Sequence, residues 1–299
     1  MLLCCVKTIK DVFIAFKNSL GGVYDSQEIE ALTLLVINEI TGLSKAIIKA
    51  FPKKEVKPEQ AAQFENILAQ LQTGRPVQYI LGHTEFYGLN FLVNPSVLIP
   101  RPETEELVNW IIDSWPLGTG GLEQPYHILD IGTGSGCIAI SLKKNLAEAE
   151  VSAMDISTEA LETAKENAGL NEVKVDFILA DILNFKPVEI QKYDIIVSNP
   201  PYVTLADREQ MHINVTDFEP HTALFVPQND PLIFYKAIAD YASNNLVNNG
   251  LLFFEINESY GQETVQLLAD KGFKNMELKK DMGGKFRMIK AIYQTEHID

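Results

Sequence analysis

The apolar positions change period along the chain. Up to about Gln72 they recur at helical spacing. In Glu59 to Leu71, residues Ala62, Phe64, Ile67, Leu68 and Leu71 can share one face, and Ile29 to Ile40 keeps the same rhythm. Gly21-Gly22, Gly42, Pro52 and Pro58 punctuate the segment, which predicts a bundle of about four helices. Between Thr84 and Val93 two short apolar runs flank Gly88, and Asn94-Pro95 closes the second, the pattern of a β-hairpin. Arg101-Pro102-Glu103-Thr104-Glu105 then opens a helix to about Ser114, with Pro102 near its first turn. Trp110 and Trp115, at the end of that helix, read as packing residues.

From His127 onward the two periods alternate. Strands are expected at His127 to Ile131, Glu150 to Met154, Val175 to Leu179, Tyr193 to Ser198 and Leu251 to Ile256. Helices are expected at Gly136 to Leu146, Thr158 to Ala168, Leu232 to Leu246 and Gln262 to Lys271. Phe273 to Leu278 and Arg287 to Tyr293 finish the chain as two strands with no helix between them. The fold class is therefore α/β, a doubly wound Rossmann-like sheet ending in an antiparallel edge pair. The expected domains are a helical one over 1–80, a hairpin linker over 81–102 and the α/β domain over 103–299.

Composition narrows the function. The 299 residues carry a net charge of −15, and no block of lysine or arginine offsets it. Such a surface repels nucleic-acid phosphates, so no DNA partner is expected. Cys4, Cys5 and Cys137 lack metal spacing. His83, His127, His212 and His221 are scattered, so no metal site is expected. Few cysteines, a short apolar start and no apolar run near the ~20 residues of a membrane span point to the cytoplasm.

One candidate site follows the first strand of the α/β region. Asp130-Ile131-Gly132-Thr133-Gly134-Ser135-Gly136 ends a strand and opens a helix. Its glycines let the backbone approach a ligand, with helix N–H groups facing it. Taken alone, the loop is also compatible with a tight strand-to-helix turn or a dinucleotide site. The dinucleotide pattern, however, needs glycine where Cys137 stands. Asp130 would repel a pyrophosphate and suits a sulfonium or ammonium cation. Asp155 closes the next strand, where a carboxylate can accept ribose hydroxyls. Asp181, followed by Ile182, closes the third and could meet an adenine edge. The three strand ends together point to S-adenosylmethionine.

The second candidate site is Asn199-Pro200-Pro201-Tyr202, directly after the strand Tyr193 to Ser198. Asn199 brings a carbonyl acceptor. The prolines bring stiff backbone carbonyls without N–H groups. The Asn199 side-chain oxygen and the Pro200 carbonyl form a fork that fits a planar –NH2, and Tyr202 offers a ring to pack against it. Asn199, Pro200 and Tyr202 are the catalytic candidates, with Pro201 completing the substrate pocket. Phe218 to Phe225 follows at a distance suited to lining the acceptor channel. An exocyclic adenine amine would fit the same fork, and a non-catalytic cofactor-binding protein would need only the first site.

Several segments resemble the PrmC/HemK release-factor glutamine methyltransferases: GRPVQYILGHTEFYGLNFLVNPSVLIPRPETEELV from Gly74, DIGTGSGCIAISL from Asp130, VSNPPY ending at Tyr202, and FEPHTALF from Phe218. The resemblance spans nearly the whole chain. It implies a class I methyltransferase sheet, and S-adenosylmethionine bound by Gly132 to Gly136, Asp155 and the Asp181-Ile182 step. Asn199 would touch both cofactor and substrate. The implied substrate is the glutamine amide in the Gly-Gly-Gln loop of class-1 peptide-chain release factors, with the helical region recognising the factor's body. A monomer is expected.

Overall fold

The computed structural model describes residues 6–114, 126–184, 191–209 and 211–294, so Cys4, Cys5 and Trp115 lie outside the described residues. The chain forms two compact units, Met1–Leu81 with Ile213–Phe218, and Gly82–His212 with Glu219–Asp299.

The first unit is helical: α1 Ile9–Leu20, α2 Ser26–Thr41, α3 Lys45–Ala50, α4 Pro58–Leu71 and α5 Val77–Leu81. Its starts are capped locally. Thr8 and Asp11 cap α1 reciprocally, and the Asp25 carboxylate accepts from two backbone N–H groups at the start of α2. One apolar stripe per helix closes the core around Val12, Phe16, Ile37, Phe64 and Leu68. The fifth helix goes beyond the expected four, because five residues are too few for a period to register.

The second unit begins with the hairpin of β1 His83–Phe86 and β2 Leu89–Leu92, then α6 Pro102–Ser114. The α/β alternation follows as β3 His127–Ile131, α7 Cys137–Asn145, β4 Glu150–Asp155, α8 Thr158–Leu170, β5 Asp176–Leu179 and β6 Tyr193–Ser198. After the short helices α9 Leu205–Arg208 and α11 His221–Leu224 come α12 Ile233–Asn245, β7 Leu246–Glu255, α13 Gly261–Asp270, β8 Phe273–Lys280 and β9 Phe286–Tyr293. The remaining short helix, α10 Ile213–Thr216, belongs to the first unit. Each of these three helices has four residues, so none shows as a sequence period.

Sheet order is β5-β4-β3-β6-β7-β9-β8. The first five strands in that order are parallel, and β9 runs antiparallel between β7 and β8. Alternating residues feed the two faces: Ile195 packs with Leu107 and Ile138, and the next residue, Ile196, with Tyr235 and Phe254. The hairpin joins the first of these cores through Phe86 and Phe91. Asn167 of α8 holds it there, accepting from Leu92 N–H at 2.6 Å and donating to Leu92 O at 3.0 Å.

The strand order turns back beside β3, with β4 on one side and β6 on the other. Ligands of doubly wound sheets bind at such a switch point, outside the carboxyl ends. Ile131 pairs with Ser198 and with Met154. Gly132, Asn199 and Asp155 therefore leave adjacent strands at one level. Among the described residues no helix is long and apolar enough to cross a membrane.

Candidate active site

A cavity of about 360 Å³ opens at this switch point. Gly132, Gly134, Asp155, Asp181, Ile182, Asn199, Pro200 and Pro201, all expected from the sequence, line it. Ser96 to Leu98, Met154, Ile156, Thr222, Ala223, Phe225 and Phe234 are among its other walls. The volume is in the range of small-molecule sites, and the walls are largely apolar with a few polar groups.

The glycine loop is held from below. Gly132 and Thr133 N–H groups donate to Met154 O, and Gly134 N–H donates to Asp155 Oδ2 at 2.8 Å. Gly132 and Gly134 have φ of 76° and 55°, and a Cβ on either would meet no protein atom within 4 Å. Side chains there would occupy ligand space. Gly136 serves another purpose: its Cβ would stand 2.8 Å from Ile140 Cδ1 and 3.2 Å from Ala164 Cβ, so it allows α7 and α8 to pack closely.

Asp130, Thr133, Ser135, Gly136 and Tyr202, also expected from the sequence, do not line the cavity. Asp130 is fully buried. Its Oδ2 accepts from Thr133 Oγ1 at 2.6 Å, and its Oδ1 has no partner. Burial pushes this carboxyl up to about 7, with the Thr133 hydroxyl pulling against it. Ser135 is buried and its carbonyl accepts from Asn167. Cys137 packs into the core, and burial raises its thiol to about 12.

Asp155 carries the ribose expectation. Burial raises its carboxyl, and bonds from Ser157 and Gly134 N–H lower it. Ser157 N–H donates to Oδ1 and Gly134 N–H to Oδ2. Asp181 caps its own turn, accepting from Leu183 N–H and Asn184 Nδ2. Among the described lining residues there is no lysine or arginine, and two carboxylates face the space. The open glycine cradle, two acidic residues and an apolar flank at Ile156 and Ile182 fit a cationic nucleoside such as S-adenosylmethionine. Among the described residues no acidic, histidine or cysteine cluster could hold a metal.

The Asn199 loop is fixed by distant side chains. Asn199 Nδ2 donates to Thr104 Oγ1 at 3.3 Å, and Thr104 Oγ1 donates to Glu255 Oε2 at 2.7 Å. Tyr202 OH donates to Glu255 Oε1 at 3.0 Å, and Tyr202 is not among the cavity's lining residues. Burial, then the Glu255 charge, raises the Tyr202 hydroxyl, so it remains protonated as a donor. Asn257 Nδ2 donates to Tyr202 O at 3.0 Å. Thr104 and Glu255 were not singled out from the sequence. The signal was a lone carboxylate in the apolar run Leu252-Phe253-Phe254-Glu255-Ile256.

The segment from Phe218 onward reaches the site as well. Thr222, Ala223 and Phe225 line the cavity, and Val203 bridges to this segment through bonds to Leu224 O and from Val226 N–H. Arg101 Nη2 pairs with the buried Glu219 Oε1 at 2.6 Å. The RPETE and FEPHTALF segments are thus joined by an ion pair. Burial pushes Glu219 up, and the Arg101 charge opposes it.

Residues 14–82 match the PrmC N-terminal domain family, and residues 121–216 match the methyltransferase small domain family. A release factor glutamine methyltransferase of Flavobacterium psychrophilum is 48% identical over 96% of this chain and 99% of its own length. One of Bacteroides thetaiotaomicron is 42% identical over 92% of this chain and 96% of its own. A solved methyltransferase of Pyrococcus furiosus superposes with TM-score 0.51 at 17% identity, over 77% of this chain and all of that one. The human methyltransferase 10 domain containing protein reaches 0.50, also at 17%, over 70% and 90%. These two likenesses speak to the fold, a class I methyltransferase sheet. The 48% and 42% identities over nearly the full length of both chains settle the family: the chain belongs to the release factor glutamine methyltransferases, enzymes dependent on S-adenosylmethionine.

Proposed function

We propose that the protein methylates the side-chain amide nitrogen of the glutamine in the Gly-Gly-Gln loop of class-1 release factors. The observation that carries this reading is that the glycine cradle, Asp155 and Asn199-Pro200-Pro201 line one cavity. S-adenosylmethionine supplies a methyl group made electrophilic by its sulfonium centre.

In this reading Gly132, Gly134, Asp155 and Ile182 hold the cofactor. Asp130 braces the loop through Thr133. The Asn199 Oδ1 and the Pro200 carbonyl accept the two N–H bonds of the substrate amide. An amide lone pair is delocalised and weakly nucleophilic; two acceptors raise electron density on nitrogen and fix its direction. No side chain is needed as a base before attack, because the nitrogen sheds its proton only after becoming cationic. Orientation and electrostatics then carry most of the rate.

The helical unit would recognise the body of the factor, whereas the −15 charge argues against DNA. The enzyme would act in the cytoplasm as a single chain. The test offers purified release factors and DNA side by side with methyl-labelled cofactor, followed by peptide mapping. Label on the loop glutamine of a release factor is expected. Label on adenine, or on no acceptor at all, overturns the reading.

A further inference from the structure

We infer that Thr104 and Glu255 are positioning residues that set which way round the Asn199 carboxamide faces. The inference rests on the acceptor role of Asn199 proposed above and deepens it.

An asparagine side chain has two nearly isosteric faces, an oxygen that accepts and an –NH2 that donates. Only the oxygen can receive a substrate N–H. With the amide turned round, donor would meet donor and the fork would be lost. Something in the protein must distinguish the two orientations.

Hydrogen-bond accounting identifies it. An ionised carboxylate is acceptor-only. Glu255 is 1% exposed, and both its oxygens receive hydroxyl protons, Oε2 from Thr104 and Oε1 from Tyr202. Thr104 is 2% exposed, so its hydroxyl has no bulk solvent to turn to. Its single proton is committed to Glu255, and only lone pairs remain for a third group. The group facing Thr104 Oγ1 must therefore be a donor, and Asn199 meets it with Nδ2. Oδ1 is left turned away from Thr104, and it accepts no hydrogen bond from the described residues. Asn199 itself lines the cavity.

The arrangement needs Glu255 ionised. Burial opposes ionisation, while Thr104, Tyr202 and the Arg287 charge favour it. Its cost is a carboxylate buried at the end of β7. A structural role alone would be served as well by an apolar residue in that strand.

The test compares Thr104→Val, Thr104→Ser and Glu255→Gln in the full-length enzyme. Valine keeps the shape but removes the acceptor, and serine keeps the hydroxyl. Glutamine places an –NH2 among the two hydroxyls and breaks the one-way order of donors. With a purified release factor as substrate, Thr104→Val and Glu255→Gln should lower kcat on the order of 100-fold while KM changes little. Thr104→Ser should restore the rate. A second readout needs neither substrate nor cofactor: the side-chain –NH2 signals of ¹⁵N-asparagine-labelled protein, with Asn199 assigned by Asn199→Asp. The Asn199 pair should shift and lose exchange protection in Thr104→Val and Glu255→Gln, and keep its wild-type position in Thr104→Ser.

Unmoved Asn199 signals in both disruptive variants, or moved signals with an unchanged kcat, overturn the inference. If the wild type transfers no methyl group to a release factor, the functional reading fails. The –NH2 signals then decide the orientation claim separately. If Thr104→Val does not fold, Glu255→Gln carries the same test without deleting a hydroxyl.

Discussion

Two loops leave neighbouring strands at the same end of the sheet and are held by opposite means. The Gly132 loop after β3 is fixed locally, by backbone bonds to Met154 and by the Asp155 carboxylate at the end of the adjacent strand. The Asn199 loop after β6 is fixed remotely, by Thr104 from the start of α6, Glu255 from β7 and Asn257 beyond it. One loop needs a shape that glycine and backbone supply. The other, in the acceptor role proposed for Asn199, needs the orientation of one side chain, which buried hydrogen bonds that run only one way would supply. The proposed tasks match this difference: a cradle for one ligand, a directed acceptor for the other.

Substitutions separate the two loops. The largest effect is expected for Asn199→Ala, which removes one acceptor of the fork. Methyl transfer to a release factor should fall about 1,000-fold, while cofactor affinity by calorimetry changes far less. An unmutated rate would remove the fork from the account. Next comes Arg101→Ala, which leaves Glu219 buried without its cation. Chemical denaturation should show a loss of about 3 kcal/mol. A loss under half of that would mean the pair between the RPETE and FEPHTALF segments contributes little.

On the cradle side, Asp155→Ala should weaken cofactor binding by about 2 kcal/mol, roughly 30-fold, and affect kcat much less. Equal losses in both would mean that the loops do not divide the work. A last effect concerns pH. Burial pushes the Asp130 carboxyl of the folded protein from the ordinary 3.8 up to about 7. Between those values the folded state binds more protons, so stability of the cofactor-free protein falls as pH rises through that window. Asp130→Asn should flatten this slope. The check is Tm against pH for both proteins, and parallel curves would contradict a buried Asp130 whose carboxyl is raised by desolvation.

The same contrast explains what could be read from the chain. The cradle was legible because its parts are sequential: a strand, glycines at fixed offsets, and acidic residues closing the next two strands. Asn199, Pro200 and Pro201 were legible for the same reason. Their support was not. Thr104 lies 95 residues from Asn199 and 151 from Glu255, and no period links them. Asp130 and Tyr202 were in plain sight as residues, but only packing shows that neither lines the cavity. The four-residue helices between Leu205 and Leu224 carry too few turns to announce themselves, although the last of them brings Thr222 and Ala223 to the cavity.

The central claim is that the site holds a planar –NH2 between two acceptors. It is tested most directly by changing the substrate: a release factor whose Gly-Gly-Gln loop ends in glutamate presents the same shape with no N–H to donate. Incubated with wild-type enzyme and methyl-labelled cofactor, the glutamine form should take up one methyl group on its side-chain nitrogen, and the glutamate form none. Methyl transfer to the glutamate side chain at a comparable rate would contradict the account.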